Sequence, residues 1–172
     1  MERSALSALA EILDALSIRW VLIGALAANR YRVSPRLTQD VDLLLSDSGR
    51  GHGALEAALE AAGWTVRRAD AAGDLLRLRH PQFGIADLLI SGTEYQQEAL
   101  SRAKVEKLSN GPSVAVLTAE DVIIHKLIAG RSQDVADIEA IVAAGVALDD
   151  AYIDRWVAFW DVGQSWAALR KP

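Results

Sequence analysis

The chain has 172 residues, 51% of them hydrophobic, and a formal net charge of −5. This size and composition are typical of one domain with a packed core, with or without a helical appendage. The absence of cysteine excludes disulfides and Cys-based zinc or nucleophile chemistry, and no run of about 18 apolar residues predicts a membrane span. The acidic charge balance argues against an overall electrostatic grip on nucleic acid, and we expect a cytoplasmic location.

Hydrophobic periodicity and turn residues predict alternating helices and strands in the first part of the chain. Pro35 helps to end the second of these helices, because the residue before a proline disfavours helical backbone. The predicted elements are a helix over 4–16, a strand over 19–23, a helix over 25–31, a strand over 40–45, a Gly- and Ser-rich turn over 46–53, a helix over 54–62 and a strand over 64–68.

Two hairpins are predicted in the middle of the chain, with a helix over 94–101 between them. The turn 80–83 joins the strands of the first hairpin, and Asn110-Gly111 is a strong turn signal for the second. The strands are expected over 74–79 and 84–90 in the first hairpin, and over 103–108 and 113–117 in the second.

Helices are predicted for the rest of the chain, over 119–130 and 133–144 with a break near Gly130, and a last helix over 149–160. Thr118 is expected to cap the first of them, with Asp121 three residues on in a near capping box. The pattern as a whole predicts an α/β fold, a mixed central sheet with helices packed on it. We expect a core over 1–117 and a helical extension over 118–172 that packs on it as one structural unit.

A short apolar run over 20–23 is followed by Gly24 and an Ala-rich segment, which predicts a strand, a tight turn and a helix start. Backbone N–H groups at such a helix start bind phosphate. The alternative is an ordinary strand–helix turn with glycine at a cramped backbone position.

Three aspartates on predicted strands indicate a metal site. Asp40 and Asp42 are two residues apart, so along a strand their side chains project from the same face and repel unless a cation lies between them. Asp87 interrupts the apolar run 85–90, where a charge is costly without a partner. A shared Mg²⁺ would supply that partner. The alternatives are an exposed pair at a strand edge and an edge-strand Asp87 that faces water.

Several other side chains leave two interpretations open. Arg30, Arg32 and Arg36 precede the acid pair and would contact a triphosphate or an RNA end, unless they form a solvated loop. His125 is expected to be half-buried or on a helix surface. The aromatic residues near the C-terminus pack on the sheet, stack a base or face a partner protein. They are Trp156, Phe159, Trp160 and Trp166.

These motifs together resemble the nucleotidyltransferase superfamily that includes DNA polymerase β, in particular small bacterial nucleotidyltransferases of the abortive-infection toxin type. The likeness runs in order over about residues 18–142. It is carried by Gly24-Ala25, by Arg36-x-Thr38-x-Asp40-Val41-Asp42, by Asp87 in its apolar strand, and by the helical segment 117–138 with Lys126, Arg131, Asp134 and Asp137.

The resemblance implies a metal-dependent transfer of a nucleoside monophosphate from a nucleoside triphosphate to an acceptor. Asp40, Asp42 and Asp87 would hold Mg²⁺ or Mn²⁺, and Asp87 would help to deprotonate the acceptor. Triphosphate contacts would come from Gly24, Ala25, Arg36, Thr38 and Lys126. Asp134 and Asp137 would orient Lys126, Arg131 or the acceptor, unless they are helix-start acids and Lys126 only covers apolar surface with its head in water.

Ala25 stands where this superfamily usually has Ser or a second Gly, so only backbone donors remain at that position. This departure favours a second hypothesis, a non-catalytic binding or interaction module with the same fold. The enzyme hypothesis leaves the acceptor open as RNA, a protein side chain or a small molecule. It also includes a toxin role with an antitoxin protein as partner, and no membrane partner.

Overall fold

A seven-stranded mixed sheet forms the centre of the protein in the computed structural model, which describes residues 4–47, 49, 52–107 and 113–170. In chain order the strands are β1 Trp20–Leu22, β2 Val41–Leu45, β3 Thr65–Arg68, β4 Leu75–His80, β5 Gly84–Ile90, β6 Lys104–Lys107 and β7 Ser113–Val116. Across the sheet their order is β3-β4-β5-β2-β1-β7-β6, so β3 and β6 are the edges. The predicted fold class is confirmed.

The helices pack on this sheet and on each other. They are α1 Ala5–Ala15, α2 Gly24–Ala28, α3 Gly53–Ala61, α4 Glu94–Arg102, α5 Ala119–Ala129, α6 Ser132–Ala143, α7 Asp150–Phe159 and α8 Gly163–Leu169. In the part of the chain that the structure describes, none of the helices combines the length and the apolar character needed to cross a bilayer.

The central strands fix the position of two of the predicted acids. Strand β2 lies parallel to β5, with Asp42 directly opposite Asp87, and antiparallel to β1. Apart from Asp42, every residue of β2 is buried, as in strands covered on both faces. These two strands are therefore neighbours, as a metal ion shared by their acids requires, and Asp42 and Asp87 project from the same face of the sheet.

The β4–β5 hairpin determines what lies on the other side of Asp87. Its turn is closed by His80, whose Nδ1 accepts hydrogen bonds from the backbone N–H groups of Gln82 (3.1 Å) and Phe83 (3.3 Å). His80 pairs with Gly84, and this register places Arg77 opposite Asp87.

Helix α5 contacts α2, α6 and α7 and thereby joins the sheet to the C-terminal helices. It starts at the predicted cap, where Thr118 Oγ1 accepts from the Asp121 N–H, and it ends at Gly130, which has a left-handed backbone. The capping box itself is not formed. The buried Asp121 carboxylate instead accepts from the Tyr152 hydroxyl (2.7 Å) and from Arg102 (3.4 Å).

Several predicted boundaries are wrong by one residue or more, and one helix was not predicted. The helix predicted over 25–31 ends at Ala28, and the strand predicted over 40–45 begins at Val41. The helix predicted over 149–160 is not the last, because α8 follows it after a break at Asp161, whose φ is 55°. Turn residues 110 and 111, and residues 48, 50 and 51 of the predicted turn 46–53, lie outside the described residues.

Candidate functional site

A cleft of about 380 Å³ lies over the sheet face that carries Asp42 and Asp87. Strands β2, β4 and β5 form its floor, and α4, α5, α6 and the end of α7 contribute its walls. Its charged lining residues are Asp42, Arg77, Asp87, Lys126, Arg131 and Asp134. Motif residues that lie far apart in the sequence, among them Gly24, Asp42 and Asp87, therefore meet in one cavity.

Gly24 makes room for the Asp42 carboxylate. Its φ is +64°, and a Cβ added there would lie 2.0 Å from Asp42 Oδ2. No described residue donates a hydrogen bond or forms an ion pair with this carboxylate, so Asp42 lies against bare backbone and faces the cleft. Burial, and then the charges of Asp87 and Asp40, raise the pKa of Asp42 to about 6.

The raised pKa of Asp42 predicts a specific pH dependence of stability. Between its ordinary value of 3.8 and about 6, the folded state binds more protons than the unfolded state, so stability falls as pH rises through this window. We expect the difference in unfolding free energy between metal-free wild type and Asp42→Asn to change by at most about 3 kcal/mol across it, in favour of the variant. Urea unfolding at a series of pH values measures this, and a constant difference would contradict it.

Asp87 already has a partner in the structure. Arg77 binds both of its carboxylate oxygens, Nε to Oδ1 at 2.9 Å and Nη2 to Oδ2 at 2.7 Å. A metal ion was expected in this place, and the arginine that faces Asp87 across the hairpin neutralises the charge instead. The Arg77 side chain is 57% exposed, so the pair is open to solvent and to exchange.

Asp40 does not join Asp42 and Asp87 in the cleft wall. It precedes β2, is exposed, and acts on Asp42 only through its charge. In the described ranges no three or more His, Asp or Glu side chains form a group able to hold a metal ion. The three-acid group that the sequence predicts is therefore not assembled in this structure. Asp42 and Asp87 still supply the oxygen ligands that Mg²⁺ takes, provided that Arg77 releases Asp87.

Lys126 is buried in an ion-pair network beside the acids. Its side chain is 5% exposed, and Nζ lies 3.1 Å from Asp134 Oδ1 and 2.6 Å from Asp137 Oδ2. Arg131 also binds Asp134, at 2.6 Å. The alternative in which Lys126 keeps its head in water does not hold. Its predicted contact with a triphosphate stays a prediction.

Asp137 joins the loop before β2 to this network. Arg32 and Arg36 both donate to its carboxylate, and Arg30 pairs with Glu106. These arginines thus form ion pairs and not the solvated loop. Four cationic side chains, from Arg32, Arg36, Lys126 and Arg131, share two carboxylates, which leaves excess positive charge beside the cleft.

The two carboxylates of the network are held ionised. Burial alone would raise their pKa values, but the hydrogen bonds from Arg131 and Lys126 lower the pKa of Asp134, and those from Arg36 and Lys126 lower the pKa of Asp137. The charges are therefore permanent at neutral pH.

This network predicts unequal effects for its two cleft-lining cations. Lys126→Met leaves two buried carboxylates with fewer partners, and we expect it to lower the unfolding free energy by roughly 2–4 kcal/mol. Arg131→Met removes a cation whose side chain is 75% exposed and should lower it by less than about 1 kcal/mol. Chemical denaturation compares the variants, and equal losses would contradict the buried role of Lys126.

The remaining predicted triphosphate contacts are placed unevenly. Gly24 lines the cleft, whereas Ala25 is buried and Arg36 and Thr38 are half-buried outside the cleft wall. Helix α2 has five residues, so its macrodipole is small. Attraction for an anion in this cleft therefore comes chiefly from Lys126 and Arg131.

Aromatic side chains form another part of the wall. The Tyr95 ring centroid lies 5.4 Å from that of His125 and 6.3 Å from that of Trp160, and all three residues line the cleft. Of the other C-terminal aromatic residues, Trp156 and Trp166 are buried in the core, as the packing hypothesis required, and Phe159 is 64% exposed. Sequence analysis missed Arg77, Tyr95 and Gln96 as cleft residues.

Comparison with known proteins identifies the fold. No profile of a protein family and no curated protein sequence matches the chain. Among solved structures, the antibiotic-resistance factor ANT(2'')-Ia matches with a TM-score of 0.65 and 17% identity, over 95% of this chain and 92% of that one. The lincomycin-bound lincosamide antibiotic adenylyltransferase LnuA matches with a TM-score of 0.53 and 12% identity, over 83% and 99%.

A third similar structure is an antigenic nucleotidyltransferase-like protein from Paracoccidioides brasiliensis, with a TM-score of 0.51 and 19% identity over 97% of this chain and 94% of that one. These likenesses show that the chain has the nucleotidyltransferase fold. At such identities they concern the fold alone, and the abortive-infection toxin type stays a prediction.

Proposed function

We propose that this protein is a metal-dependent nucleotidyltransferase. The observation that carries the proposal is the cleft in which Asp42 and Asp87 lie in register on adjacent strands, with Lys126 and Arg131 in the same wall. Carboxylates that bind Mg²⁺ and cations that attract phosphate are the two groups that the reaction needs. Fold neighbours that are nucleotide-transferring enzymes support this assignment.

The acceptor hydroxyl attacks the α-phosphorus of the nucleoside triphosphate, and a new oxygen–phosphorus bond forms. The bond between the α-phosphorus and the β-phosphate oxygen breaks, and pyrophosphate leaves. When bound, Mg²⁺ or Mn²⁺ stabilises the attacking and leaving oxygens. Asp42, whose carboxylate lies against the Gly24 turn, would hold the cation. Asp87, once released by Arg77, would be a second ligand and would accept the proton of the hydroxyl. Lys126 and Arg131 would bind the β- and γ-phosphates.

The test is incubation with labelled nucleoside triphosphates, Mg²⁺ or Mn²⁺, and separate acceptor pools of RNA, protein and small molecules. We expect label in one pool and pyrophosphate release that depends on the metal. Lack of turnover with every pool, together with no nucleotide or metal binding by calorimetry, would refute the proposal.

The ion pair between Arg77 and Asp87 favours the second candidate, a binding module without catalysis, because it neutralises one of the two carboxylates without a metal. The two candidates differ in the effect of Arg77→Gln. In an enzyme, the variant frees Asp87 and should tighten Mn²⁺ binding by about fivefold, the value of an exposed ion pair of up to 1 kcal/mol.

Arg79→Gln is the matched control for this experiment. It removes the same charge two residues along β4, from a side chain that is exposed, faces the same side and does not line the cleft. Titration of Mn²⁺ by electron paramagnetic resonance should show tighter binding for Arg77→Gln alone. Equal or absent binding in both variants would favour the non-catalytic module.

The toxin role, the RNA acceptor and the antitoxin partner rest on the sequence resemblance. Their test is induced expression in a bacterial host with and without the neighbouring gene. Growth arrest that Asp42→Asn abolishes and the neighbour relieves would support a toxin–antitoxin pair. Normal growth at high expression of active enzyme would refute it.

A further inference from the structure

One part of the cleft is apolar and continues from the acids along the sheet. Leu75 and Leu89 face each other on the same two strands as Arg77 and Asp87. They lie two residues further along these strands, a distance of about 7 Å. Helix α4 starts shortly after β5 and brings Tyr95 to this end. The aromatic pocket, defined by Leu75, Leu89, Tyr95, His125 and Trp160, thus lies beside the reacting centre.

Two polar atoms in the aromatic pocket have no partner. Six buried side-chain nitrogen atoms in the described residues lack a hydrogen bond, and of these only His125 Nε2 and Trp160 Nε1 belong to cleft-lining residues. Burial lowers the pKa of His125 to about 4, so its imidazole is neutral at pH 7. Leaving such groups unpaired costs free energy, and polar atoms of a ligand would recover it.

The direction of the reaction assigns this pocket to the acceptor. The leaving pyrophosphate and the attacking oxygen lie roughly in line on opposite sides of the transferred phosphorus. Lys126 and Arg131 would bind the leaving side, so the attacking hydroxyl approaches from elsewhere in the cleft. The aromatic pocket adjoins Asp87, the carboxylate assigned to accept the hydroxyl proton, and this places the acceptor in the pocket.

The chemistry of the pocket selects the class of acceptor. A nucleic-acid end would need several cations along its backbone. Of the three cleft-lining cations, Lys126 and Arg131 are assigned to the triphosphate, which leaves Arg77 alone. A polycation would need unpaired carboxylates, and the aromatic pocket contains none. Leucine side chains and aromatic rings instead favour an uncharged, apolar body, with one or two polar groups for His125 and Trp160.

We propose that the acceptor is a small neutral molecule that carries a hydroxyl group on an aromatic or other apolar body and binds in the aromatic pocket. This inference rests on the proposed nucleotidyl transfer. The hydroxyl oxygen forms the bond to the α-phosphorus, its proton passes to Asp87, and pyrophosphate leaves. Leu75, Leu89 and Trp160 contact the apolar body, and His125 Nε2 hydrogen-bonds a polar substituent.

The experiment compares three probes by NMR spectroscopy of the full chain. They are indole-3-ethanol as a neutral aromatic alcohol, glucosamine as a cationic sugar, and a short oligoadenylate with a free 3′-hydroxyl. The chain has three histidines, so His125→Phe, which keeps a ring beside Tyr95, assigns the His125 signal. We expect indole-3-ethanol to shift the His125 and Trp160 signals, both without and with ATP and Mg²⁺.

His125→Phe should weaken indole-3-ethanol binding by about fivefold, the value of one hydrogen bond. The control His52→Phe changes a half-buried histidine outside the cleft and should leave binding unchanged. No shift with indole-3-ethanol up to its solubility limit would overturn the proposal. Shifts of the His125 and Trp160 signals with glucosamine or oligoadenylate but not with indole-3-ethanol would also overturn it. So would complete displacement of indole-3-ethanol by ATP, which would assign the pocket to the adenine base.

Calorimetry with ATP and Mn²⁺ separates this inference from the proposed function. If ATP binds and indole-3-ethanol does not, the acceptor class is wrong and the nucleotidyltransferase proposal stands. If indole-3-ethanol binds and neither metal nor ATP does, the protein is not the proposed enzyme. The aromatic pocket then binds the proposed class of ligand but is not an acceptor site.

Discussion

Asp42→Asn is expected to lower the rate of nucleotidyl transfer by on the order of 10³-fold while the fold stays intact, because metal ions supply several kcal/mol of transition-state stabilisation. The amide keeps the size of the side chain against Gly24 and loses its negative charge. Rate measurements with a saturating acceptor and Mn²⁺ titration should show parallel losses. Circular dichroism should show an unchanged fold.

The matched control is Asp14→Asn. The carboxylate of Asp14 is exposed, lies outside the cleft lining and accepts a hydrogen bond from Trp20 Nε1 at 3.0 Å, which an amide oxygen can also accept. Its rate should equal that of wild type. Transfer that survives Asp42→Asn undiminished would remove Asp42 from the mechanism.

Gly24→Ala is expected to damage both the fold and the site. The new methyl carbon would lie 2.0 Å from Asp42 Oδ2 and 2.6 Å from Asp42 Cγ, so the carboxylate has to move away from the position that faces the cleft. A left-handed backbone adds about 1–2 kcal/mol of strain for a residue with a Cβ. We therefore expect a loss of several kcal/mol in unfolding free energy, measured by urea denaturation, and loss of transfer.

Gly145→Ala separates the two causes. Gly145 has a similar φ of +68°, and a Cβ there meets no atom within 4 Å, so the variant has the backbone strain without the collision. It should lose only the strain energy and keep its transfer rate. If both variants lose equal stability, the close approach of Gly24 and Asp42 has no energetic consequence.

The parts of the site that the sequence predicted are those that depend on local pattern. A short apolar strand followed by glycine predicts the turn at Gly24. An acid at the start of a buried strand predicts that Asp42 is in a place where its negative charge is costly. The adjacency of Asp42 and Asp87 was expected only on the assumption of a shared metal ion, since strand order depends on contacts distant in sequence. Asp40 lies outside the cleft wall because β2 begins at Val41, one residue later than the alternation argument requires.

Arg77 was missed because its role depends on hairpin register. If the turn comprised residues 80–83 as predicted, the register of the hairpin would shift by one position. An apolar side chain would then lie opposite Asp87. The turn is settled by hydrogen bonds from two backbone N–H groups to His80 Nδ1, a contact that residue types alone do not reveal. The sequence did not decide the role of Trp160 for a similar reason, because the position of this side chain in the cleft depends on how α7 packs against α4.

The two outer strands of the sheet also bear on how copies of the protein meet. Strand β3 ends in Arg67 and Arg68, and β6 starts and ends with Lys104 and Lys107. Sheet edges expose unpaired backbone groups that would pair with another chain, and rows of like charge oppose this approach. Positive residues at both borders therefore protect an otherwise acidic protein against continuous sheet growth, the first step towards aggregation.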